Sequence, residues 1–316
     1  MSLAFIFPGQ GSQAVGMGKA LAEAEPAARA VFAEVDEALG QSLSKLMWEG
    51  PEAELTLTEN AQPALMAVSL AVVRVLEAGH GVRLSDVAKF VAGHSLGEYS
   101  ALAATGTFSL ADAARLLKTR GRAMQQATPV GTGAMAALLG LDYLDAAAVA
   151  EAAAQGEICQ AANDNAPGQV VVSGHKAAVE RAVALAKDKG AKRAVMLSVS
   201  APFHCALMQP AATVMADALA NTPMRPPTVP VFANVLAAPL SDPAEIRKAL
   251  VAQVTGTVRW RECMAGMAAQ GVKVFCELGA GKVLAGLVKR TAPEAQGLSL
   301  GTPQDIAEHA ARLKQG

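Results

Sequence analysis

Residues 87–104, VAKFVAGHSLGEYSALAA, carry the clearest evidence for the fold class. Its apolar beginning, 87–92, predicts a short buried strand, and residues 98–104 are typical of a helix. Between them lies Gly93-His94-Ser95-Leu96-Gly97, which fits the G-x-S-x-G pattern of a sharp strand-to-helix turn. A strand that runs directly into a helix through such a turn indicates an α/β protein.

The serine at the centre of this turn is the candidate nucleophile. Glycine on either side relieves the crowding of the backbone, and the turn lifts the hydroxyl of Ser95 clear of the sheet. The serine also lies at a helix N-terminus, where unpaired N–H groups can stabilise a developing oxyanion. The N–H of Leu96 is the first candidate donor. A chance match to this short pattern is the alternative, and the flanking strand and helix favour the functional interpretation.

The alternation of strands and helices continues along the chain. Residues 3–7 form an apolar run that stops at Pro8-Gly9, while 19–39 and 62–77 are typical of helices. Strands that alternate with helices predict a largely parallel sheet covered on both faces.

Residues 128–198 follow a different order. The predicted elements run β-α-β-β-α-β, with a loop at 163–168 between the two middle strands, which is the order of a ferredoxin-like split unit. We therefore predict two parts. The larger α/β domain consists of residues 1–127 and 199–316, and a ferredoxin-like small subdomain, 128–198, is inserted between its halves.

The composition argues against several classes of protein. The chain has 316 residues, of which 52% are hydrophobic, so it is long enough to bury a substantial core. Only 17% of the residues are charged and the net charge is −1, which argues against nucleic acid as the main partner. The four cysteines form no C-x-x-C pair, so neither a metal site nor a redox motif is predicted.

Neither export nor membrane insertion is predicted. The beginning of the chain, MSLAFIFPGQ, lacks a basic region and a long apolar region of the kind found in signal peptides. The longest apolar stretch, 63–76, carries Ser69 and Arg74 and is judged too short and too polar to span a bilayer. We expect a cytoplasmic protein with buried, reduced thiols.

A serine nucleophile needs a base, and the chain has five histidines. His94 adjoins Ser95, but neighbouring side chains diverge, so a structural role in the turn is favoured. His204 follows a predicted strand and starts a predicted helix, whose N-terminus would keep the imidazole neutral and able to accept a proton. No acidic residue lies where it would complete a triad, so a carbonyl group is the candidate partner of His204.

Arg120 lies on the apolar face of a predicted helix. Ser109 and Asp112 form a capping box at its start, and at 100° per residue Leu116, Leu117 and Arg120 share one side. A buried guanidinium is costly unless an anion meets it. Three interpretations stay open at this point: an internal salt bridge, a head group that reaches water, or a clamp for a substrate carboxylate.

Several motifs in one order carry a family resemblance that covers nearly the whole chain. They are Phe5-Ile6-Phe7-Pro8-Gly9-Gln10-Gly11-Ser12-Gln13, Gln62-Pro63-Ala64, Gly93 to Gly97, Arg120-Gly121, Asn165-x-Pro167-Gly168-Gln169, Ala201-Pro202-Phe203-His204, Gln253 and Glu277-Leu278-Gly279-Ala280-Gly281-Lys282. Together they resemble the malonyl-CoA:acyl carrier protein transacylases of type II fatty-acid synthesis. The resemblance implies an α/β-hydrolase-like catalytic core with a ferredoxin-like insertion.

The resemblance also implies roles for six residues. They are Ser95 as the acylated nucleophile, His204 as its base, the main-chain carbonyl of Gln253 as the partner of His204, the N–H groups of Gln10 and Leu96 as the oxyanion hole, and Arg120 as the clamp for the malonyl carboxylate. The implied reaction is a ping-pong transfer from malonyl-CoA to acyl carrier protein without metal or cofactor. We expect a monomer that binds neither nucleic acid nor membrane.

Other functions compete with this one. An esterase or lipase uses the same turn, but its acyl pocket does not require a buried cation. Gly9-x-Gly11-x-x-Ala14 fits a dinucleotide-binding fingerprint, which also needs a second strand ending in an acid, whereas 31–39 is typical of a helix. Two other acyltransferase functions also stay open: a stand-alone acyltransferase of a polyketide synthase, and the malonyl transfer subunit of a malonate decarboxylase.

Overall fold

The computed structural model describes residues 2–314 and contains two β-sheets with helices packed around them. The strands of this part of the chain are β1 (Leu3–Phe7), β2 (Ala88–Gly93), β3 (Gly133–Leu139), β4 (Cys159–Ala166), β5 (Gln169–His175), β6 (Arg193–Met196), β7 (Val231–Ala233), β8 (Ala238–Leu240), β9 (Val274–Leu278) and β10 (Gln296–Leu300).

The helices surround both sheets. They are α1 (Lys19–Ala24), α2 (Pro26–Leu39), α3 (Leu43–Glu49), α4 (Glu52–Thr56), α5 (Thr58–His80), α6 (Leu84–Val87), α7 (Gly97–Ala104), α8 (Leu110–Gln126), α9 (Tyr143–Ala154), α10 (Lys176–Asp188), α11 (Gln209–Ala220), α12 (Pro243–Gln253), α13 (Trp260–Ala269), α14 (Val283–Thr291) and α15 (Pro303–Lys314), with a short 3₁₀ helix at Ala206–Met208.

The larger sheet has the strand order β10-β9-β1-β2-β7-β8, and only the edge pair β7–β8 is antiparallel. Strand β1 explains the continuous apolar run at the start of the chain. Phe5 and Phe7 pack into the core on one face of the sheet, and Ala4 and Ile6 pack into the core on the other. A strand buried on both faces needs no alternation of polar side chains. The predicted, mostly parallel and two-sided sheet is confirmed.

The smaller sheet is antiparallel, with the order β4-β5-β3-β6. One face carries Ala136, Leu138 and Val172, which form a separate apolar cluster with residues of α9 and α10. Met135 and Val171, on the opposite face, belong to the main core. The smaller sheet is therefore covered by its own helices on one side and by the rest of the protein on the other.

The predicted loop at 163–168 is wrong over most of its length. Strand β4 continues to Ala166, and only Pro167 and Gly168 turn the chain before β5. The pairing of β4 with β5 is irregular between Ala161 and Asn163 and again between Asp164 and Ala166. Polar residues beside these irregularities bond to groups outside their own sheet. Because polar residues are typical of loops, the sequence predicted a loop here.

Helix α5 is longer than predicted and runs for 23 residues. By length and composition alone it is the one helix within residues 2–314 that could cross a membrane, because it extends beyond the stretch 63–76 at both ends. However, 83% of its most apolar window is buried inside the protein. Its apolar character is accounted for by a position in the core.

Candidate active site

The structure places Ser95 in the predicted turn, between β2 and α7. Its φ of 53° lies in the left-handed region, which a non-glycine residue rarely occupies. The flanking glycines have a steric reason. A Cβ on Gly93 would lie 1.8 Å from the carbonyl carbon of Gly97, and a Cβ on Gly97 would lie 2.3 Å from the oxygen of Phe7. On both sides of the serine, the turn therefore has room only for glycine.

His204 lies beside Ser95, although 109 residues separate them in sequence. Its Nε2 is 2.8 Å from the Ser95 hydroxyl oxygen, and its Nδ1 is 2.8 Å from the main-chain oxygen of Gln253. With Nδ1–H donated to that carbonyl, Nε2 is the free acceptor that faces the hydroxyl. A main-chain carbonyl at the end of α12 thus occupies the place of the acid that the sequence lacks.

The neutral state of His204 has a different cause from the one that the sequence suggested. The residue precedes the 3₁₀ helix rather than starting an α-helix, and its own φ is 58°. Burial, followed by the nearby positive charge of Arg120, lowers the pKa of His204 to about 3. The imidazole is therefore neutral at physiological pH and can accept a proton.

Gln10 and Leu96 reach the same cavity from neighbouring strands. Gln10 follows β1 and Leu96 follows β2, and these two strands are adjacent and parallel, so their carboxyl ends lie at one edge of the sheet. Within residues 2–314, neither main-chain N–H has a hydrogen-bond acceptor. The side chain of Gln10 donates to Thr58 Oγ1 at 3.2 Å, which fixes the loop after β1. Two free N–H groups thus lie at the cavity that holds Ser95.

Arg120 is buried in α8 with 1% exposure, as its position on the apolar face predicted. Its Nη1 donates to Gln62 Oε1 at 2.9 Å, and its Nη2 donates to Gln253 Oε1 at 2.9 Å and to the Ser95 hydroxyl at 3.1 Å. Among the residues that the structure describes, no carboxylate oxygen lies within 4.0 Å of this guanidinium. Two of the open interpretations, an internal salt bridge and a head group in water, do not fit this environment.

The side chain of His94 bonds to the smaller sheet rather than to the nucleophile, in agreement with the structural role predicted for it. Its Nε2 lies 2.8 Å from Asn165 Oδ1 on β4, and its ring lies 5.6 Å from the ring of Trp260. Burial lowers the pKa of His94. The hydrogen bond to Asn165 joins the turn at Ser95 to the smaller sheet.

Two buried residues beside the turn were not singled out from the sequence. Glu98 is in the first turn of α7, and burial raises the pKa of its carboxyl group to about 7. Asn234, immediately after β7, is fully buried. Glu98 is visible in the sequence as an acid three residues after the serine, but Asn234 lies 139 residues away and carries no pattern of its own.

A cavity of about 340 Å³ between the two sheets is lined by Gln10, Ser95, Leu96, Arg120 and His204. Met135 and Val171 of the smaller sheet, with Phe203, provide apolar walls. No cluster of potential metal ligands occurs in residues 2–314. Six helices, α1 to α6, separate β1 from the next strand, β2, so the second strand that the dinucleotide-binding pattern requires about 20 residues later is missing. The cavity therefore combines a serine–histidine pair, free N–H donors and one buried cation.

Comparison with known proteins identifies the family of this chain. Residues 4–307 match the acyl transferase domain family. The chain belongs to the acyl transferase family. Among curated relatives, the malonyl CoA-acyl carrier protein transacylase of Escherichia coli K12 is 48% identical over 304 residues, which cover 96% of this chain and 97% of the relative. The enzyme of that name from Bacillus subtilis is 45% identical and covers 99% and 98%.

Solved structures show that the whole acyl transferase fold is shared. The acyl-carrier-protein-S-malonyltransferase of Bartonella henselae superposes with a TM-score of 0.97 at 56% identity, covering 99% of this chain and 100% of that one. A malonyl-transacylase in complex with its type II PKS acyl-carrier protein superposes with a TM-score of 0.95 at 42% identity, covering 100% of both chains. The mixed α/β architecture with one mostly parallel and one antiparallel sheet is that of these transferases.

Proposed function

We propose that this acyl transferase moves a malonyl group from malonyl-CoA to the phosphopantetheine thiol of acyl carrier protein, through an ester on Ser95. The observation that carries this proposal is the buried Arg120, which has no carboxylate oxygen within 4.0 Å among residues 2–314 and lies 3.1 Å from the Ser95 hydroxyl. A cation in that place suits an acyl group that ends in a carboxylate. The names of the relatives at 45–48% identity support the same substrate and acceptor.

In the first half-reaction, Ser95 attacks the thioester carbonyl of malonyl-CoA. His204 Nε2 accepts the hydroxyl proton while Oγ forms the new C–O bond. The carbonyl oxygen becomes an oxyanion, to which the N–H groups of Gln10 and Leu96 donate. When the intermediate collapses, the C–S bond breaks and the coenzyme A thiolate takes the proton from His204. The carbonyl of Gln253 holds the imidazole in the correct tautomer in both directions.

In the second half-reaction, the carrier-protein thiol gives its proton to His204 and attacks the Ser95 ester. The oxyanion forms in the same place, the C–O bond breaks, and the proton returns to the serine oxygen. The first half-reaction consumes the serine hydroxyl and releases a thiol, and the second consumes a thiol and restores the hydroxyl, so the catalyst is regenerated. Because the thioester is already activated, the proposed reaction needs neither a metal nor another cofactor.

We also assign residues 128–198 to a ferredoxin-like small subdomain and residues 1–127 and 199–316, of which the structure describes 2–127 and 199–314, to an α/β-hydrolase-like core. The element order β3-α9-β4-β5-α10-β6, with an antiparallel sheet ordered β4-β5-β3-β6, supports this assignment. Because the cavity lies between the two sheets, the subdomain would form one wall of the substrate site. We further propose that the enzyme acts as a cytoplasmic monomer whose macromolecular partner is the carrier protein.

Initial-rate kinetics distinguish the proposed transfer to carrier protein from hydrolysis of malonyl-CoA. With malonyl-CoA and holo acyl carrier protein both varied, we expect parallel double-reciprocal lines, which are the sign of a ping-pong mechanism. Without carrier protein, free malonate should form far more slowly than transfer occurs. Rapid release of malonate, unaffected by added carrier protein, would favour the esterase alternative. The coenzyme A and malonate formed must be measured separately, because only their ratio separates transfer from hydrolysis.

A further inference from the structure

Asn234 lies next to the serine turn because of the sheet order. Strand β7, which ends at Ala233, pairs in parallel with β2, so the residue after β7 lies beside the turn after β2. The carboxamide of Asn234 spans that turn. Its Oδ1 accepts a hydrogen bond from the Ser95 N–H at 2.8 Å, and its Nδ2 donates to the Gly93 oxygen at 2.8 Å.

Both bonds satisfy groups that the turn removes from the sheet. Where β2 bends into the turn, the Gly93 carbonyl and the Ser95 N–H can no longer join a regular strand ladder. Buried groups of this kind are costly if they are left unpaired. Ser95 also holds a φ of 53°, a conformation that persists only where the surroundings stabilise it. One side chain therefore restrains the backbone immediately before and at the serine.

The backbone of Asn234 is itself held on both sides. Its N–H donates to Glu98 Oε2 at 3.0 Å, and its carbonyl accepts from the Arg259 N–H at 3.1 Å. The same Glu98 oxygen accepts from Gln253 Nε2 at 2.9 Å. Gln253 provides the carbonyl that His204 Nδ1 faces. A continuous set of hydrogen bonds thus joins the backbone of the serine turn to the partner of the histidine.

We propose that Asn234 is a positioning residue that sets the Ser95 hydroxyl at hydrogen-bonding distance from His204 Nε2. It does not line the cavity, so it acts on the substrate only through Ser95. This inference rests on the proposed role of Ser95 as nucleophile and adds the group that holds the serine in its strained conformation. Misplacement of a reacting atom by about 1 Å typically costs on the order of 100-fold in rate.

The test is single-turnover acylation by malonyl-CoA, followed by intact mass, with Asn234→Ala and Asn234→Asp. We expect Asn234→Ala to lower the acylation rate constant by about 100-fold, while the malonyl-CoA concentration at half-maximal rate changes by less than about threefold. Asn60→Ala is the matched control, because that buried carboxamide bonds Gln41, Lys118 and the Glu54 carbonyl rather than the serine turn. Rates are expressed per folded molecule from circular dichroism.

The pH dependence of the acylation rate of Asn234→Asp distinguishes a positioning role from a purely structural one. The ionised carboxylate keeps an acceptor for the Ser95 N–H but repels the Gly93 oxygen. When protonated, it has an O–H donor again and mimics the amide. We expect its rate relative to wild type to rise as the pH falls from 8 to about 5.5. A constant ratio across this range, or an acylation rate of Asn234→Ala within twofold of Asn60→Ala, would overturn the positioning role. Acylation of wild type by malonyl-CoA in the same experiments separates the two proposals. If wild type is acylated, a negative result for the Asn234 variants counts against the positioning role and not against the proposed function.

Discussion

The guanidinium of Arg120 donates a hydrogen bond to the hydroxyl of Ser95 at 3.1 Å, across 25 residues of sequence. A buried cation and the candidate nucleophile therefore share one small cavity. In a malonyl thioester, one methylene group separates the carboxylate from the reacting carbonyl. A carboxylate that takes the place of Ser95 as a partner of Arg120 would leave that carbonyl within reach of the serine oxygen. The distance thus fits the proposed substrate, a short acyl group with a terminal negative charge.

Replacing Arg120 with alanine should change acyl selectivity. We expect malonyl transfer to fall by about 100-fold or more, because the substrate carboxylate would be buried without its partner. Transfer from acetyl-CoA, which has no carboxylate, should be spared or improved. The measurement is kcat/KM for both thioesters with the same carrier protein. Arg115→Ala is the matched control, since Arg115 lies on the exposed side of the same helix. Equal losses for the two thioesters would refute the carboxylate clamp.

The acylation rate should depend on pH through Glu98 rather than His204. Because the pKa of His204 is lowered to about 3, the imidazole stays neutral from pH 5.5 to 8 and contributes no step there. The pKa of Glu98 is raised to about 7 by burial. Above that pH the ionised carboxylate is the stronger acceptor for Asn234 and Gln253, so we expect the acylation rate to rise as the pH increases through 7.

Glu98→Gln separates the two groups. Glutamine is neutral at every pH and keeps an oxygen acceptor, so the step near pH 7 should disappear and the profile should become flat. Single-turnover acylation from pH 5.5 to 8 measures this directly. If a step near pH 6.5 persists in Glu98→Gln, the titrating group is His204 and its pKa is not lowered as described.

Arg261 should stabilise the joint between the two sheets. It forms an ion pair at 2.8 Å with Asp164 of β4, whose side chain is 1% exposed. Arg261→Ala leaves that carboxylate buried without its ion-pair partner, and we expect the free energy of unfolding to fall by about 1–3 kcal/mol at pH 8.

The loss of stability in Arg261→Ala should depend on pH in a known direction. Burial raises the pKa of Asp164, and removal of the guanidinium raises it further. A raised carboxyl pKa makes the folded state take up a proton as the pH falls, so the penalty at pH 8 should shrink towards pH 5. Urea unfolding at both pH values measures it. Lys248→Ala, in an exposed pair with Glu245, should leave stability unchanged. An equal penalty at pH 5 and 8 would contradict this account of Asp164.

The elements that the sequence predicted well are those with local causes. The turn at Ser95 needs glycine on both sides, and Ser109 accepts a hydrogen bond from the Asp112 N–H at 3.0 Å at the start of α8, as the capping box predicted. Arg120 could be placed on the buried face from helical periodicity alone. Its hydrogen-bond partners could not be predicted, because Gln62 and Gln253 belong to other elements.

The elements that the sequence predicted poorly depend on distant partners. Residues 163–165 were predicted as a loop because they are polar, yet Asp164 pairs with Arg261 and Asn165 pairs with His94. Asn234 has no local signature, since its function depends on the neighbouring strand of the sheet. Such contacts follow from strand order, which the pattern of one sequence does not specify.

The most direct test is intact-protein mass spectrometry of wild type and Ser95→Ala after brief incubation with malonyl-CoA, and again after holo acyl carrier protein is added. We expect a malonyl adduct on wild type only, which then moves to the carrier protein. Ser95→Ala should stay unmodified while its circular dichroism matches that of wild type. An adduct on Ser95→Ala, or no adduct on either protein with malonyl-CoA intact, would contradict the central claim that malonate passes through Ser95.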